Sequence, residues 1–290
     1  MSPESSKRFR VSAYNFGFLD EGSKREIRRS TLKAVAIPGY QVPFASRELP
    51  IGKGWGTGGM QLSLSLAGSR DTIKVIDQGH DDSVNAVSIR HLIQSCTQVE
   101  MTRDSQAASL IQSRHRIPEI PLRKDQILIL QVPQPDPLKK VESHEKKVKQ
   151  LHADKDYKGM WLHLYEDISQ WGDISISADY PSTAHERYLF APSPLPRWDV
   201  PKLNHSEALC LLGAGREKKI YAIPPHTQVT PLAFDDVPFT TENFGKASCK
   251  NCGADNVYLD EFIDDETGQK TYSCSDTGYC HQRMAERRIQ

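Results

Sequence analysis

The sequence predicts an α/β fold: a mixed sheet core with flanking helices, a charged insertion and a small C-terminal cysteine-rich metal lobe. Three observations support this prediction. Strand-like and helix-like hydrophobic patterns follow one another along the chain, as in α/β proteins. A lysine-rich segment interrupts these patterns at 133–158, and four cysteines cluster near the C-terminus. The predicted organisation is therefore an α/β core at 13–245 followed by a lobe at 246–290.

The N-terminal part is expected to begin with a disordered tail and a capped helix. Residues 1–12 are polar and show no hydrophobic periodicity. Asp20 or Ser23 can cap the helix that follows, in which apolar residues recur at helical intervals. The pair Pro38-Gly39 is expected to end it, because both residues interrupt helices.

A long loop and a set of strands are expected next. Residues 39–61 are dense in glycine and proline, which predicts a loop of a length usually linked to function or disorder. Apolar runs predict strands at 60–66, 72–76 and 126–132, the last buried on both faces of a sheet. Helical spacing predicts a helix at 84–97 between them.

The second half of the core continues the pattern after the insertion. Residues 133–158 have a proline-rich entry and few large apolar side chains, which favours a solvated helix or hairpin over a core element. An amphipathic pattern resumes at 160–176. Strands are expected at 188–197, leading into a proline-rich turn, and within 209–225.

Composition narrows the class of protein. The 290 residues are 38% apolar and 26% charged with zero formal net charge, which suits a large globular core. Neutral balance argues against nucleic acid as the main partner. We expect no membrane span, since no run reaches about 18 apolar residues. The N-terminus lacks the apolar core of a secretion signal, so the expected location is the cytoplasm.

The C-terminal cysteines predict a metal site. Cys249, Cys252, Cys274 and Cys280 follow the pattern C-x2-C-x21-C-x5-C. Buried free cysteines usually scatter along a chain instead of clustering at this spacing. A reducing cytosol favours thiolate-metal bonds over disulfides. The spacing leaves open which metal binds and whether all four sulfurs hold it.

Several longer motifs identify a family. The chain closely resembles the J subunit of the bacterial carbon-phosphorus lyase complex from about Tyr14 to the C-terminus. The segments that carry the resemblance are AVAIPGYQVPFASRE (34–48), GWGTGG (54–59), KVIDQG (74–79), NAVSIR (85–90), RHRIPE (114–119), GAGREKKIYA (213–222) and CSDTGYC (274–280).

The resemblance implies a radical lyase. The implied reaction cleaves the carbon-phosphorus bond of ribose 1-alkylphosphonate 5-phosphate to ribose 1,2-cyclic phosphate 5-phosphate and an alkane, which is methane from methylphosphonate. It implies a 4Fe-4S cluster on Cys249, Cys252 and Cys274 that binds S-adenosyl-L-methionine. Gly39 would then carry a glycyl radical and Cys280 a thiyl radical. From sequence alone, the preferred interpretation of Gly39 is the glycine of an ordinary Pro-Gly turn.

The resemblance also implies partners. It places the chain in a hetero-oligomeric core with the G, H and I subunits, two copies of each, joined by an ABC-type ATPase subunit. It brings His115, with Gln131 nearby, toward a metal site shared with the I subunit. The segment 133–158 is the expected docking element for the ATPase, and a solvated surface excursion explains its composition equally well.

A substrate with two phosphorus groups needs anion-binding residues. Backbone N-H groups of the glycine-rich segment 54–59 could bind one phosphorus group. The basic residues of the segment 213–219 could bind the other. Alternatively these glycines shape turns and the basic groups are solvated. The candidates, with Gln131 added, are Gly56, Gly58, Gly59, Gly213, Gly215, Arg216 and Lys218.

Two other functions compete with the lyase. The first is a non-catalytic zinc-ribbon scaffold, in which all four cysteines bind zinc and only fold the lobe. Zinc can also fill the site of the enzyme itself when the protein is prepared in air. The second is a nucleic-acid-binding module that uses the ribbon with Arg283, Arg287 and Arg288, which the neutral net charge disfavours.

Overall fold

A seven-stranded mixed sheet forms the centre of the fold, and helices and a small second sheet cover its faces. The computed structural model describes residues 19–43, 57–132, 136–171, 182–190, 193–214, 219–236 and 240–289. The tail predicted at 1–12 and the central part of the predicted loop, 44–56, lie outside these residues.

The described elements follow an α/β order. The helices are α1 (Glu21–Ala36), α2 (Thr57–Leu66), α3 (Val84–Cys96), α4 (Glu145–Ala153), α5 (Lys158–Trp171), α6 (Val200–Asn204) and α7 (Thr277–Ile289). The strands are β1 (Val42–Pro43), β2 (Thr72–Asp77), β3 (Glu100–Met101), β4 (Leu110–Arg114), β5 (Ile127–Gln131), β6 (Ser182–Ala184), β7 (Tyr188–Phe190), β8 (Leu209–Ala214), β9 (Lys219–Ile223), β10 (Val229–Pro231), β11 (Leu259–Ile263) and β12 (Lys270–Cys274). The predicted fold class is confirmed.

The order of strands in the main sheet is β1-β9-β8-β5-β4-β2-β3. Strands β3, β2, β4, β5 and β8 are parallel, whereas β9 is antiparallel to both β8 and β1. The carboxyl ends of the parallel strands meet along one side, which we call the carboxyl edge. In open parallel sheets, ligands usually bind outside this edge.

The central strand β5 is buried on both faces, as predicted. Leu128 and Leu130 share one core cluster with Phe190 of β7, whereas Ile129 shares the other with Ile27 of α1. The second cluster also contains buried side chains of α2 and α3. A continuous apolar run is therefore explained by cover from both sides.

The predicted first helix is confirmed as α1. Asp20 is its N-cap, and its carboxylate accepts a hydrogen bond of 2.6 Å from the Ser23 N-H. Ile37 closes the C-terminal end with a backbone bond to Lys33. Gly39 follows at φ +92°, a conformation that glycine adopts without a steric penalty.

The strand predicted at 60–66 is wrong, because this segment is helix α2. Its alternation of polar and apolar residues suggested a sheet face, yet both kinds of side chain are buried. The polar groups are satisfied inside the protein: the Ser63 hydroxyl donates to Gln112 of β4, and the Ser65 hydroxyl donates to the Gln61 carbonyl. A helix buried all round has no polar face to reveal its period.

The remaining predictions of helices and strands are confirmed in part. The helix at 84–97 and the strand at 72–76 are confirmed as α3 and β2. The strand predicted at 188–197 is only the three-residue β7, followed by a short 3-10 helix at Arg197–Asp199. The segment 209–225 forms the two strands β8 and β9. No strand was predicted at β1, β3, β4, β6, β10 or the β11-β12 hairpin, and β1 lies in the segment predicted as a loop.

The insertion contains a 3-10 helix at Pro137–Lys140 and helix α4. It is more than a solvated excursion, because Leu138 and Val148 are buried in a small cluster with Leu189 of β7. Asp136 anchors it further through a hydrogen bond of 3.1 Å with His152 and an ion pair with Lys219 of β9. Within the described part of the chain, no helix combines the length and apolar character that crossing a bilayer requires.

The close approach of α2 to β8 gives a stability prediction. A Cβ atom on Gly213 would lie 2.6 Å from Leu62 Cδ1 and 3.0 Å from the Gly58 carbonyl oxygen. We expect Gly213→Ala to lower the free energy of unfolding by about 1–3 kcal/mol, because overpacking forces the helix away from the sheet. Urea denaturation measures this loss.

Gly159→Ala is the matched control, since a Cβ atom at this first-turn position of α5 meets nothing within 4 Å. Its stability should equal that of the native chain or exceed it by up to about 1 kcal/mol. Equal stability of the two variants would contradict the close contact between α2 and β8.

Candidate metal centre

The first two cysteines lie on a tight turn that points both sulfurs inward. The Cys249 N-H donates to the Ala254 carbonyl at 2.7 Å, and the Gly253 N-H donates to the Cys249 carbonyl at 2.7 Å. Gly253 has φ +68°, and a Cβ atom there would lie 2.5 Å from the guanidinium of Arg287. The positive φ favours glycine in this turn, and the absence of a side chain leaves room for the Arg287 guanidinium of α7.

The other two cysteines come from β12 and α7. Cys274 is the last residue of β12, and Cys280 lies in the first turn of α7. All four sulfurs lie within 4.8 Å of one another. The sulfurs of Cys252 and Cys274 are 3.4 Å apart, and those of Cys249 and Cys280 are 3.7 Å apart. The predicted cysteine cluster is thus assembled and buried.

This spacing matches a single tetrahedral ion. Zinc binds thiolate sulfur at about 2.3 Å, which puts the four sulfurs of a tetrahedron about 3.8 Å apart. Thiolates are also the ligands of a four-iron cluster, in which each sulfur binds a different iron atom. The donor set suits either centre, but the iron cluster requires the sulfurs to stand farther apart than they do in this structure.

The four thiols influence one another's ionisation. Burial opposes ionisation of Cys249, but the N-H groups of Cys252 and Cys274 donate to its sulfur and lower its pKa to about 6. Burial and the neighbouring sulfur of Cys249 raise the pKa of Cys280 to about 12. Burial raises the pKa of Cys274 as well. A bound cation removes this conflict, because it stabilises all four thiolates together.

The cysteine lobe docks on the carboxyl edge at the ends of β2 and β4. The Ser275 hydroxyl donates to the Gln78 carbonyl at 3.0 Å, and a Cβ atom on Gly79 would clash with Ser275 at 2.3 Å. His80 pairs with Asp260 of β11 at 3.1 Å, and this hydrogen bond raises the pKa of His80. The metal centre therefore lies where α/β proteins place their ligands.

A buried charge network also supports the lobe. The Arg116 guanidinium donates to Asp199 and to Glu119, and it lies 3.9 Å from the centroid of the Tyr258 ring in the lobe. Glu119 accepts a hydrogen bond from the Tyr258 N-H and an ion pair from Lys202. Removing one member would leave a buried charge unpaired.

Several of the other predicted residues lie along the same edge. His115, at φ +71°, follows β4, and Gln131 ends the neighbouring strand β5. The Gly59 N-H donates to Gln131 Oε1 at 2.7 Å, so this amide already has a partner. Gly213 pairs with Gln131 in the sheet, and its close neighbour is the Gly58 carbonyl. These glycines thus serve the packing of α2 against the sheet.

Gly39 lies in a different part of the fold. Its α-carbon faces the β6-β7 turn, where a Cβ atom would meet Arg187 at 3.4 Å and His185 at 3.9 Å. The Arg187 guanidinium donates to the Tyr40 hydroxyl at 2.5 Å, and the Tyr157 hydroxyl donates to the Arg187 carbonyl. Burial lowers the pKa of His185. Gly39 is therefore covered by the side chain of Arg187.

The structure does not bring Gly39 and Cys280 together. Gly39 precedes β1, whereas the lobe docks at β2, and four strands stand between these two in the sheet. At the usual spacing of neighbouring strands this is roughly 24 Å. The remaining anion-binding candidates, Gly56, Gly215, Arg216 and Lys218, lie outside the described residues.

Sequence reasoning missed the residues that hold the lobe on the sheet. Among them are Lys74 and Asp81, which are buried and form an ion pair of 3.5 Å. The Arg114 guanidinium binds Asp77 through two hydrogen bonds at the same edge. A lysine inside the apolar strand at 72–76 was the available signal, because a buried lysine requires a partner.

The basic residues of α7 are partly engaged in the lobe. Arg287 lies against Gly253, and Arg283 lies 5.6 Å from the Tyr279 ring centroid. Two of the three arginines proposed for a nucleic-acid surface therefore contact the lobe itself.

Comparison with known proteins agrees with the resemblance in the sequence. The family model "Phosphonate metabolism protein PhnJ" matches residues 12–286. Alpha-D-ribose 1-methylphosphonate 5-phosphate C-P lyase of Escherichia coli (strain K12) is 51% identical over 273 residues, which cover 94% of this chain and 97% of that protein. The C-P-lyase of the same name from Rhizobium meliloti (strain 1021) is 52% identical over 275 residues, covering 95% and 92%. The chain therefore belongs to the PhnJ family of phosphonate metabolism proteins.

Proposed function

We propose that this protein is a carbon-phosphorus lyase acting on ribose 1-alkylphosphonate 5-phosphate. The products would be ribose 1,2-cyclic phosphate 5-phosphate and an alkane. The observation that carries the proposal is the likeness, along nearly the whole chain, to two proteins named as lyases of the methylphosphonate compound. The buried four-thiol centre on the carboxyl edge gives this family chemistry a place in the fold.

The bond to be broken explains why a radical route is proposed. An unactivated carbon-phosphorus bond offers no good leaving group and no acidic proton, so side-chain acids and bases cannot cleave it readily. Cys249, Cys252 and Cys274 would hold a 4Fe-4S cluster. With S-adenosyl-L-methionine bound, this cluster would supply the first radical. The fourth thiol, Cys280, would then be free of metal.

Gly39 and Cys280 take the two protein-radical roles. The Gly39 α-carbon would give one hydrogen atom to the first radical when the enzyme is activated, and the glycyl radical so formed would then take one from the Cys280 thiol. The thiyl sulfur would attack phosphorus as the phosphorus-carbon bond breaks, which releases an alkyl radical. This radical takes the hydrogen atom from Gly39 and leaves as alkane. The ribose 2-hydroxyl then displaces the Cys280 sulfur from phosphorus. The sulfur takes the hydroxyl proton and becomes a thiol again.

Glycine is suited to carry a stable radical, and the position of Gly39 in the fold requires a change of conformation during the reaction. The α-carbon carries no side chain, and the cover by Arg187 shields it from solvent. The strands that separate Gly39 from Cys280 mean that the hydrogen transfer needs a change of conformation. In this proposal, Arg216 and Lys218 bind the phosphorus groups together with Gly56, Gly58, Gly213 and Gly215. Gly59 and Gln131 enter this set only if their mutual hydrogen bond opens.

The proposal includes an assembly in the cytoplasm. The chain would join the G, H and I subunits, two copies of each, with His115 near a metal site shared with the I subunit. An ABC-type ATPase subunit would dock on the insertion at 133–158. Reducing conditions in the cytoplasm would keep the four thiols available for metal.

A zinc-ribbon scaffold is the second candidate function. The observation that favours it is the spacing of the four sulfurs, which matches a single tetrahedral ion. In this case all four cysteines are equivalent structural ligands and none takes part in chemistry.

Cysteine variants separate these two functions. After anaerobic iron reconstitution, we expect Cys280→Ser to retain about four irons per chain, because three thiolates still hold the cluster. Cys252→Ser should lose the cluster. Iron and sulfide analysis measures both. Equal loss of iron in the two variants would favour the scaffold.

Gly39→Ala tests whether Gly39 carries the glycyl radical. In the iron-loaded native protein, with its companion subunits and S-adenosyl-L-methionine, we expect a glycyl-type doublet in the electron paramagnetic resonance spectrum. Gly39→Ala should lose both the doublet and methane release from the methylphosphonate substrate, whereas Cys280→Ala should lose only methane release. A doublet that persists in Gly39→Ala would remove this residue from the mechanism.

Charge reversal on the insertion tests the docking site. Lys146 and Lys149 are exposed on α4, whereas Val148 beside them is buried. Lys146→Glu with Lys149→Glu should weaken co-purification of the ATPase subunit without unfolding the insertion. Lys33→Glu with Lys24→Glu, on α1, is the matched control. Undiminished co-purification by the α4 variant would contradict docking at this surface.

A further inference from the structure

We propose that Lys74 and Asp81 are positioning residues for Cys280. The proposal rests on the function assigned above to Cys280 and deepens it. These two side chains fix the first turn of α7 on the sheet, and this turn sets where the Cys280 sulfur lies relative to the other three.

Lys74 and Asp81 form a buried ion pair at the carboxyl edge. Lys74 lies within β2 and is 0% exposed, and Asp81 is 1% exposed. The Lys74 ammonium lies 3.5 Å from Asp81 Oδ1 and donates to the Arg103 carbonyl at 2.6 Å. Such a pair is costly to desolvate, and an apolar pair of similar size is often as stable. Its presence here is better explained by what it contacts than by stability.

The contact is with the backbone of α7. A Cβ atom on Gly278 would lie 2.6 Å from Lys74 Nζ, 2.8 Å from the Arg103 carbonyl oxygen and 2.9 Å from Asp81 Oδ2. The first turn of α7 therefore lies directly on the ion pair. Only glycine permits this approach, because any side chain would collide with backbone and with both charged groups.

Hydrogen bonds fix the same turn in direction. The Asp81 N-H donates to the Thr277 hydroxyl at 3.0 Å, and this hydroxyl lies 3.4 Å from Asp81 Oδ2. Asp276 caps α7 by accepting the Tyr279 N-H at 2.9 Å, and its second oxygen accepts the Glu119 N-H. Two carboxylates thus face the helix N-terminus, which favours negative charge, and Lys74 balances the charge of Asp81.

This arrangement acts directly on the metal centre. Cys274 and Cys280 stand on either side of the segment Ser275–Tyr279, so a shift of Gly278 must displace at least one of the two sulfurs. Cys280 is nearer in sequence and lies on the same helical turn as Gly278. Its sulfur lies 3.7 Å from that of Cys249, a distance that the ion pair would preserve.

Cobalt-substituted protein tests the proposal without using the lyase reaction. Co²⁺ takes the place of a tetrahedral zinc ion, and its sulfur charge-transfer absorption reports how many thiolates bind. In Lys74→Met we expect this absorption per bound cobalt to fall by about one quarter, since one of four thiolates is lost. Iodoacetamide, followed by mass spectrometry, should then modify Cys280 first.

Two further variants keep the test decisive. Thr277→Val removes a hydrogen bond without adding volume, and it should shift the spectrum in the same direction even if Lys74→Met does not fold. Lys219→Met breaks a partly buried pair with Asp136, away from the lobe, and should leave the cobalt spectrum unchanged. A four-thiolate spectrum with protected Cys280 in both Lys74→Met and Thr277→Val would overturn the proposal. Failure of the native protein to release methane would count against the lyase function and leave this result unaffected.

Discussion

The structure depends on one electrostatic constraint: four buried sulfurs stand so close together that they cannot all ionise without a cation among them. The backbone N-H groups of Cys252 and Cys274 stabilise the thiolate of Cys249. The charge on this sulfur then hinders ionisation of Cys280. The lobe around them has a small apolar core of its own, so metal binding and folding of the lobe are expected to be coupled.

The lobe makes many contacts with the carboxyl edge of the sheet. Its contacts reach the loops after β2 and β4 through Ser275, Thr277 and Asp260, and an aromatic face covers Arg116. These loops follow parallel strands, which is where α/β proteins gather catalytic groups. A free-standing ribbon would need none of these contacts. These contacts therefore distinguish this lobe from a ribbon that folds independently of the core.

Local pattern was enough to predict some elements and failed at others for identifiable reasons. β5 and α3 have long regular patterns, and the cysteines reveal themselves by spacing, so all three were predicted. α2 was mistaken because its serines find partners inside the protein. The contact between Asp81 and Thr277 joins residues 196 positions apart, and no local pattern reports such a pair. The neighbouring places of β4 and β5 in the sheet were also not predictable from local pattern, and only the family resemblance suggested that His115 and Gln131 lie near each other.

The hydroxyl of Tyr157 connects the insertion to the β6-β7 turn, a contact that the composition of the insertion does not suggest. Tyr157 belongs to the small core beneath α4 and holds the backbone of Arg187, the residue that covers Gly39. The insertion and the turn that covers the glycine are therefore joined in space although they are separate in the sequence. A displacement of the insertion core would be passed on to that turn through the same hydrogen bond.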